Sequence, residues 1–564
     1  MSGTGPVAGD VADSVADGGA DSVAGDVAVP VAGDVADSVA GGVAVPVAED
    51  VAVPVAGDGF DLVIRNGLVL TMDAALSRKG WLAVKDGVIK ALGDGDFSGT
   101  AAETIDLKGR VLMPGLIDTH AHSAMTGIGR RGIDLAGIDT VGGILDRVES
   151  FCREDKTSKV VCGCNMLTPE AISEKRLPSR DELDEVSGDR PLMLVMWTAH
   201  GGTMNSAAFE KAMLTPEMQE CCKDGVFVDD KTAFHVIGNI YNLMEDKDFE
   251  EIFFGIAAGC VSRGITTLHS LDGMMVKDDR DVDVLMRVKD RLPIEFVVYT
   301  QTFDWEKVCA YGLGQVGGCL SVDGSPPQIT AAYQDPYPSA PNTRGFLNFT
   351  DSELHGFVTA ASKAGMQVAF HAIGDRAVDQ IVHIYQQVDR EVGIRNLRHR
   401  VEHFSLPTDH HIEMAAEMNV VCSAQPAIGN MLDGPAGNGF DAFVSKEKAQ
   451  LHENFARVMK GGVAVCGGSD SPVTPLDAFV GIDAAVNAFN PGRRVSVTEA
   501  LRMYTINAAY AAHQEKTKGS LEVGKQADMI VIDKDPYEPD TAAALASIEV
   551  LQTWRAGKLV FERP

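Results

Sequence analysis

Basic residues are scarce in this chain of 564 residues. It contains 49 Lys and Arg against 80 Asp and Glu, which gives a formal net charge of −31. Clusters of Lys or Arg, which attract phosphate backbones and anionic lipid surfaces, are few. The composition therefore argues against nucleic acid and membranes as partners.

Cysteine and long apolar runs are also sparse. The chain has ten cysteines, and neighbours such as Cys221-Cys222 lack the spacing of a disulfide framework or a zinc ribbon. No run of about 18 or more apolar residues occurs, and the N-terminus lacks the basic and apolar regions of a signal peptide. We expect a cytoplasmic protein with reduced thiols.

The first part of the chain lacks large side chains. Residues 1–57 repeat the short sequences VAGDVADSVA and VAVPVA, and no Lys, Arg or aromatic residue precedes Phe60. Such a segment buries too little apolar surface to offset the conformational entropy of ordering. We predict a low-complexity, acidic, disordered tail over residues 1–57 and exclude it from the functional argument.

Short alternating apolar runs occur at both ends of the remaining chain. Asn66-Gly67 and Asp86-Gly87 separate such runs near the start, and Ala556-Gly557 does so near the end. These dipeptides are typical of β-hairpin turns. Two small β segments, residues 58–113 and 511–564, are therefore predicted to bracket the middle of the chain.

The middle of the chain, residues 114–510, alternates apolar strand-like runs with helical stretches. The runs Gln367–Phe370 and Val463–Cys466 each end at polar residues. Repeated β-α alternation over this length predicts the α/β class and a (β/α)8 TIM barrel, whose active site lies at the carboxyl ends of the strands. The less regular range 140–250 is interpreted as an insertion over the barrel mouth.

A His-x-His pair follows one of these strands. Val111–Ile117 is apolar, and His120 and His122 come directly after it. Alternate residues of a strand project to one side, so both imidazoles can face the barrel interior and share a metal ion. An isolated His-x-His pair is not specific, and the preceding strand is what favours a metal site.

Three further strand ends carry polar groups. They are His371 after Phe370, His403 in RVEH, and Asp470 in GGSD. Zn²⁺ accepts this mixture of nitrogen and oxygen ligands, and a carboxylate at the rim can also accept a proton. Each residue taken alone could instead be an ordinary hydrogen-bonded group, so the prediction depends on the set.

The four motifs DTHAHS, HAIGDRA, RHRVEHF and GGSD, in this order, resemble the amidohydrolase superfamily, and specifically its YtcJ-like branch, also called amidohydrolase family 3. The resemblance covers roughly residues 60–564. It implies that 58–113 and 511–564 together form a composite β-sandwich beside the barrel. It also implies a small-molecule substrate and is compatible with a homodimer.

The resemblance assigns roles to the strand-end residues. His120 and His122 would bind one metal, and His371 and His403 a second if it is present. Asp470 would bind metal and act as the general base. One or two Zn²⁺ ions are expected, with another divalent metal as the alternative.

One position departs from the family pattern. Relatives of this branch carry a carboxylated lysine four residues before the aspartate of a DGS motif, and here Cys319 stands four residues before Asp323. A thiolate can bridge or cap a borderline ion. Cys319 could instead pack as a small hydrophobic residue, so the number of metals stays open.

Three rim residues are predicted to contact the substrate. His200 lies in a stretch similar to the family's DGH…NS motif, His269 ends a strand-like run, and Arg376 could orient a carbonyl or carboxylate. An ordinary polar loop and a packed core histidine are the alternatives for the first two.

Together these features predict a metal-dependent hydrolase that cleaves a non-peptide C–N bond of an amide, formamide or cyclic amide. Metal-activated water would be the nucleophile, with Asp470 as general base. A lyase or isomerase on the same barrel is a rival, distinguished by a product that gains no water. A non-catalytic relative is a second rival, which the retention of Asp470 and four histidines disfavours. The substrate and oligomeric state are not specified by the sequence.

Overall fold

The computed structural model describes residues 59–197, 201–222, 224–274, 276–434 and 439–564. The predicted tail and His200 lie outside these residues. Within them, no helix is both long and apolar enough to cross a bilayer.

The strands fall into several sheets. In chain order they are β1 Phe60–Leu70, β2 Arg78–Lys85, β3 Val88–Gly93, β4 Ala101–Asp106, β5 Val111–Pro114, β6 Leu116–Ala121, β7 Ile133–Asp134, β8 Val161–Met166, β9 Leu192–Met196, β10 Gly202–Met204, β11 Val226–Phe227, β12 Ile265–Ser270, β13 Glu295–Val298, β14 Gln315–Val316, β15 Gln367–Ala372, β16 Arg400–His403, β17 Val421–Ala424, β18 Ala464–Gly467, β19 Met529–Ile532, β20 Val550–Arg555 and β21 Lys558–Glu562.

Helices separate most of the central strands. In chain order they are α1 Ser123–Arg131, α2 Val141–Glu154, α3 Arg180–Ser187, α4 Ser206–Lys211, α5 Pro216–Cys221, α6 Asp230–Tyr241, α7 Asp246–Ser262, α8 Arg280–Val288, α9 Trp305–Ala310, α10 Asp351–Lys363, α11 Asp375–Val392, α12 Asp409–Glu417, α13 Pro426–Asp433, α14 Lys446–Leu451, α15 Phe455–Lys460, α16 Ala478–Val486, α17 Val497–Met503, α18 Ile506–Ala511 and α19 Pro539–Ala542.

One sheet combines both ends of the described chain. Its order is β21-β20-β19-β5-β1-β2-β3, with β4 also pairing with β1. The junction is the antiparallel ladder of β19 on β5, in which Val531 lies opposite Leu112. The terminal segments therefore form one sheet.

The turn predictions have mixed outcomes. Asp86 and Gly87, with φ of 53° and 73°, connect the antiparallel strands β2 and β3 as predicted. The hairpin predicted at Asn66-Gly67 is wrong, because β1 runs through both residues and pairs with β2 on either side of a bulge. Asn66 has a φ of 62°, so its left-handed backbone makes the bulge rather than a chain reversal.

The central part is a mixed α/β structure built on two parallel sheets. One has the order β13-β12-β6 and the other β14-β15-β16-β17-β18. Isolated parallel bridges, Thr300 to Val316 and Ala121 to Ser471, join the two sheets at both ends. All eight strands are parallel to their neighbours, so their carboxyl ends meet on one side.

The range 140–250 is more regular than predicted. Strands β8 to β11 lie in it and join β7 in a separate five-stranded sheet. Helices α2 and α3 cover this sheet around their own apolar core, which includes Ile144, Leu183 and Leu194. The interpretation of this range as an insertion stays a prediction.

Candidate metal centre

The ends of β6 and β18 meet at the centre of the site. The amide of Asp470 donates to the carbonyl of His120 at 2.7 Å, and the amide of His122 donates to the carbonyl of Ser471 at 2.9 Å. A Cβ on Gly468 would lie 2.5 Å from the His120 nitrogen, so only glycine permits this approach. Asp470 itself has a φ of 54°, a left-handed conformation that turns the chain at this point.

His120 is fully buried and held by a carboxylate. Its Nδ1 lies 2.7 Å from Oε2 of Glu402, and Glu402 accepts two further hydrogen bonds of 2.8 Å from Arg400. Nδ1 therefore carries the proton, and Nε2 is left to face Asp470. This carboxylate contact is typical of the support given to metal-binding histidines.

His122 is oriented in the same way. Its Nδ1 lies 2.9 Å from the carbonyl oxygen of Leu271, and its Nε2 lies 3.1 Å from Oδ1 of Asp470. Nε2 of His120 lies 3.2 Å from the same oxygen. The ligand atoms of His120, His122 and Asp470, which we call the inner group, all lie within 4.8 Å of one another.

The other predicted donors lie beside the inner group. The thiol of Cys319 lies 3.7 Å from Nδ1 of His371 and 4.0 Å from Nε2 of His403. Cys319 and His403 also lie within 4.8 Å of His120. The Nε2 atom of His371 lies 3.2 Å from the carbonyl of Gly324, which leaves Nδ1 facing the thiol. All six residues predicted as donors therefore meet in one place.

The charges of these groups are strongly coupled. Burial opposes ionisation of Cys319 and Asp470, but the neighbouring imidazoles hold the pKa of both groups well below their ordinary values. Burial also lowers the pKa of His122 and His371, yet hydrogen bonds to Asp470 and Cys319 raise these pKa values to about 10 and about 9. Two anionic groups therefore lie among imidazoles that hold protons. A bound cation would take the place of those protons and balance the negative charge.

The donor set fits a divalent metal. Among the described residues, Nε2 of His120 is buried and makes no hydrogen bond, although Oδ1 of Asp470 lies 3.2 Å away. A buried imidazole nitrogen without a hydrogen bond is uncommon, because losing its hydrogen bond to water is unfavourable. Histidine nitrogen, carboxylate oxygen and thiolate sulfur are all ligands of Zn²⁺.

A pocket opens onto the donor cluster. His122, Cys319, His371, His403 and Asp470 line its floor. Its walls are mainly apolar and aromatic, with Met125, Trp197, Phe234, Met274, Ile373, Ile428, Leu432, Phe440 and Val473. Such a cavity with a few convergent polar groups is the usual form of a small-molecule site.

The described rim residues lie away from the pocket surface. His269 is buried beneath the site, where its Nδ1 accepts a 2.9 Å hydrogen bond from Arg400 and its ring stacks on Tyr299. Arg376 is half-buried at the start of α11, and its amide donates to the carbonyl of Ala332. Neither lines the pocket, and their substrate contacts stay predictions.

Two carboxylates that the motif analysis did not assign support the site. Glu402 orients His120 as described above. Asp118 accepts hydrogen bonds from the amides of His120 and Ser469, which connects the ends of β6 and β18. Both stand inside the quoted motifs, two residues or fewer from a predicted ligand, and that position is the signal that could have identified them.

A second histidine cluster lies outside the pocket, on α11 and α12. Asp379, His383 and His411, which we call the outer group, also have ligand atoms within 4.8 Å of one another. Nδ1 of His411 accepts from the amide of Thr408 at 3.2 Å, so its Nε2 carries the proton and donates to Asp379 at 3.0 Å. Both nitrogens of His411 are thus used in hydrogen bonds at the start of α12, so the outer group is not a set of free metal ligands.

Known proteins resemble this chain over most of its length. The model of the amidohydrolase family matches residues 103–561. The putative amidohydrolase YtcJ of Bacillus subtilis (strain 168) is 26% identical over 88% of this chain and 98% of its own. The N-substituted formamide deformylase of Arthrobacter pascens is 26% identical over 89% of this chain and 98% of its own.

A solved structure agrees with these matches. The crystal structure of an uncharacterised metal-dependent hydrolase from Pyrococcus furiosus is 26% identical, covers 85% of this chain and 100% of its own, and superposes with a TM-score of 0.70. The resemblance predicted from the four motifs is confirmed. The chain belongs to the amidohydrolase family.

Proposed function

We propose that this protein is a metal-dependent hydrolase that cleaves a C–N bond of a small, non-peptide amide, formamide or cyclic amide. The observation that carries the proposal is the inner group, in which two histidines with fixed tautomers point their Nε2 atoms at one carboxylate oxygen. The pocket above it is enclosed by apolar side chains, which suit a small organic substrate.

The proposal includes the finer architecture of the family. Strands β6 and β12 to β18 would form the (β/α)8 barrel, and the sheet of both chain ends would belong to the composite β-sandwich. The two isolated bridges between the parallel sheets support the first assignment. The ladder of β19 on β5 supports the second.

The donors would hold one or two Zn²⁺ ions. His120, His122 and Asp470 would hold one, and Cys319, His371 and His403 surround the place of a second. When bound, such an ion polarises a carbonyl and lowers the pKa of water from 15.7 to about 7.

Asp470 would move the proton in hydrolysis. Its carboxylate accepts a proton from the attacking water as the hydroxide adds to the carbonyl carbon. The C–N bond then breaks, and Asp470 returns that proton to the leaving nitrogen. Asp470 is ionised, because the neighbouring imidazoles hold its pKa well below the ordinary value.

The identity of the bond is supported by a relative. The Arthrobacter pascens protein is named for N-substituted formamides and is matched over nearly its whole length. We therefore place N-substituted formamides first among the substrates to be tried.

The test is metal analysis and an amide panel on three proteins: wild type, Asp470→Asn and, as a control, Asp290→Asn, whose carboxylate is 89% exposed. We expect one or two equivalents of metal in wild type, release of acid and amine with uptake of one water, and loss of turnover in Asp470→Asn alone. A metal-free active protein would contradict the proposal. A product that gains no water would favour the lyase or isomerase.

A further inference from the structure

The active-site pocket has an uneven distribution of charge. Three acidic side chains line it, namely Cys319, Glu453 and Asp470, and no Lys or Arg is among its described lining residues. Cys319 and Asp470 belong to the donor cluster. Glu453 has no part in the chemistry proposed above, so its place in the pocket wall needs another explanation.

Glu453 is held firmly in that wall. Its side chain is 7% exposed, and its amide donates to the carbonyl of Ser405 at 2.6 Å. The carboxylate packs against Gly429 of α13, where a Cβ would lie 2.4 Å from Oε2. Glycine at this position therefore makes room for the carboxylate.

The carboxylate lacks a partner within the described protein. Oε2 of Glu453 is buried and makes no hydrogen bond there. Arg493 is the cation whose charge acts on it, but that guanidinium pairs with Asp433 and donates to the carbonyl of Ala449. The neighbouring His452 is uncharged, because burial holds its pKa well below the ordinary value. Burial without a hydrogen bond disfavours the ionised form of Glu453, and a cationic ligand beside it would favour that form.

We propose that the pocket binds amides that carry a protonated amine, and that Glu453 is the residue that binds this amine. The inference rests on the proposed function and names its substrate class. At Glu453 an ammonium group would meet an acid side chain that has no hydrogen-bond partner among the described residues, whereas a carboxylate would meet a group of like charge. The net charge of −31 attracts the same class of molecule to the protein.

The protonation of Glu453 agrees with this assignment. Burial, together with the charges of Asp433 and Asp470, raises its pKa to about 8, and Arg493 only partly offsets the rise. An ammonium group beside the carboxylate would favour the ionised form and lower the pKa again. Amine binding would therefore release a proton from the pocket near neutral pH.

The test uses the metal-loaded full chain and three series of N-alkylformamides with two to six methylenes. The far end of the alkyl chain carries an amine, a methyl group or a carboxylate. We expect the amine series to have the lowest KM at one chain length. Glu453→Gln should then raise the KM of that compound about 10- to 100-fold, the range for a lost charged hydrogen bond. The KM of the methyl compound should stay within about twofold.

Two further variants separate a binding role from a structural one. Gly429→Ala keeps the carboxylate but occupies its place, so it should weaken binding of the amine compound in the same way. Glu447→Gln, an exposed carboxylate on α14, should change neither KM. Equal effects of Glu453→Gln on the amine and methyl compounds would overturn the proposal, as would equal KM values in wild type.

Calorimetric titration of the same compounds into Asp470→Asn protein separates this inference from the proposed function. A preference for the amine that disappears with Glu453→Gln supports the binding site even if no formamide is hydrolysed by wild type. Hydrolysis without any amine preference retains the proposed function and rejects the role of Glu453.

Discussion

The inner and outer groups contain the same residue types at the same close separation, yet they differ chemically. In the inner group each Nδ1 is held by a protein acceptor, so each Nε2 faces the shared carboxylate. In the outer group a backbone amide donates to Nδ1 of His411, which places the proton on the nitrogen that faces Asp379. Tautomer and burial, rather than composition, therefore distinguish the candidate metal site from the outer group at the start of α12.

The largest expected effect comes from removing one histidine of each group. His122→Ala deletes a proposed ligand, so we expect loss of bound metal and a fall in kcat/KM beyond the roughly 10- to 100-fold typical of outer-shell changes. His383→Ala should leave both unchanged. Elemental analysis and amide kinetics check this, and metal loss in His383→Ala would break the comparison.

The next effect concerns the carboxylates that orient the histidines. Glu402→Gln keeps the shape of the side chain but weakens the contact to Nδ1 of His120, so metal affinity should fall about 10- to 100-fold. Asp379→Asn in the outer group should leave the affinity unchanged. Competition with a chromophoric chelator measures both, and equal affinities in the two variants would refute the role of Glu402.

A buried histidine outside both groups gives a pH-dependent effect. Burial lowers the pKa of His399 to about 3, and both of its nitrogens have neutral partners, Ser362 and the amide of Val368. In the unfolded chain His399 binds a proton below about pH 6.5, whereas in the folded chain it stays neutral. Its contribution to the free energy of unfolding is therefore fully present above that pH. It declines by up to about 1.4 kcal/mol per unit as pH falls toward 3.

Urea unfolding at pH 7, 6 and 5 tests this contribution. His399→Gln is expected to be less stable at pH 7 but to lose less stability on acidification than wild type. Identical slopes in the two proteins would show that His399 does not set this part of the pH dependence.

The smallest effect is on the cap of the outer group. Thr408 accepts a hydrogen bond from the amide of His411 at the start of α12. Thr408→Ala should lower stability by about 1 kcal/mol and leave metal content and kinetics unchanged. A thermal melt of the metal-loaded protein measures the first, and any change in metal content would connect the outer group to the site after all.

Much of the site could be predicted because local pattern and topology agree. The donors at His120, His371 and Asp470 each follow a short apolar run, and parallel strands bring their carboxyl ends to one side. The family was predicted from the motifs, and the mixed α/β class from the alternation of strand-like and helical stretches. The turn patterns predicted β segments at both chain ends, and the resemblance to the family implied that these segments combine.

The remaining features depend on contacts between distant segments. Asn66-Gly67 forms a bulge because β2 pairs with both halves of β1, which no local pattern reveals. Glu402 and His403 are adjacent, and strand alternation would put them on opposite faces. The φ of 68° at His403 breaks that alternation and lets both serve the site. The buried position of His269 likewise involves a distant residue, because Arg400 donates a hydrogen bond to its Nδ1.

The ladder of β19 on β5 has a consequence for synthesis on the ribosome. Strand β5 emerges early, but its partner lies near the C-terminus, and at about 5–20 residues per second translation of the interval takes tens of seconds. During that time the edge of β5 is open to other chains. Asp470 also arrives late, so the nascent chain holds an incomplete donor set. The proposed metal centre and the protection of this edge are therefore both completed only after Asp470 and β19 have been synthesised.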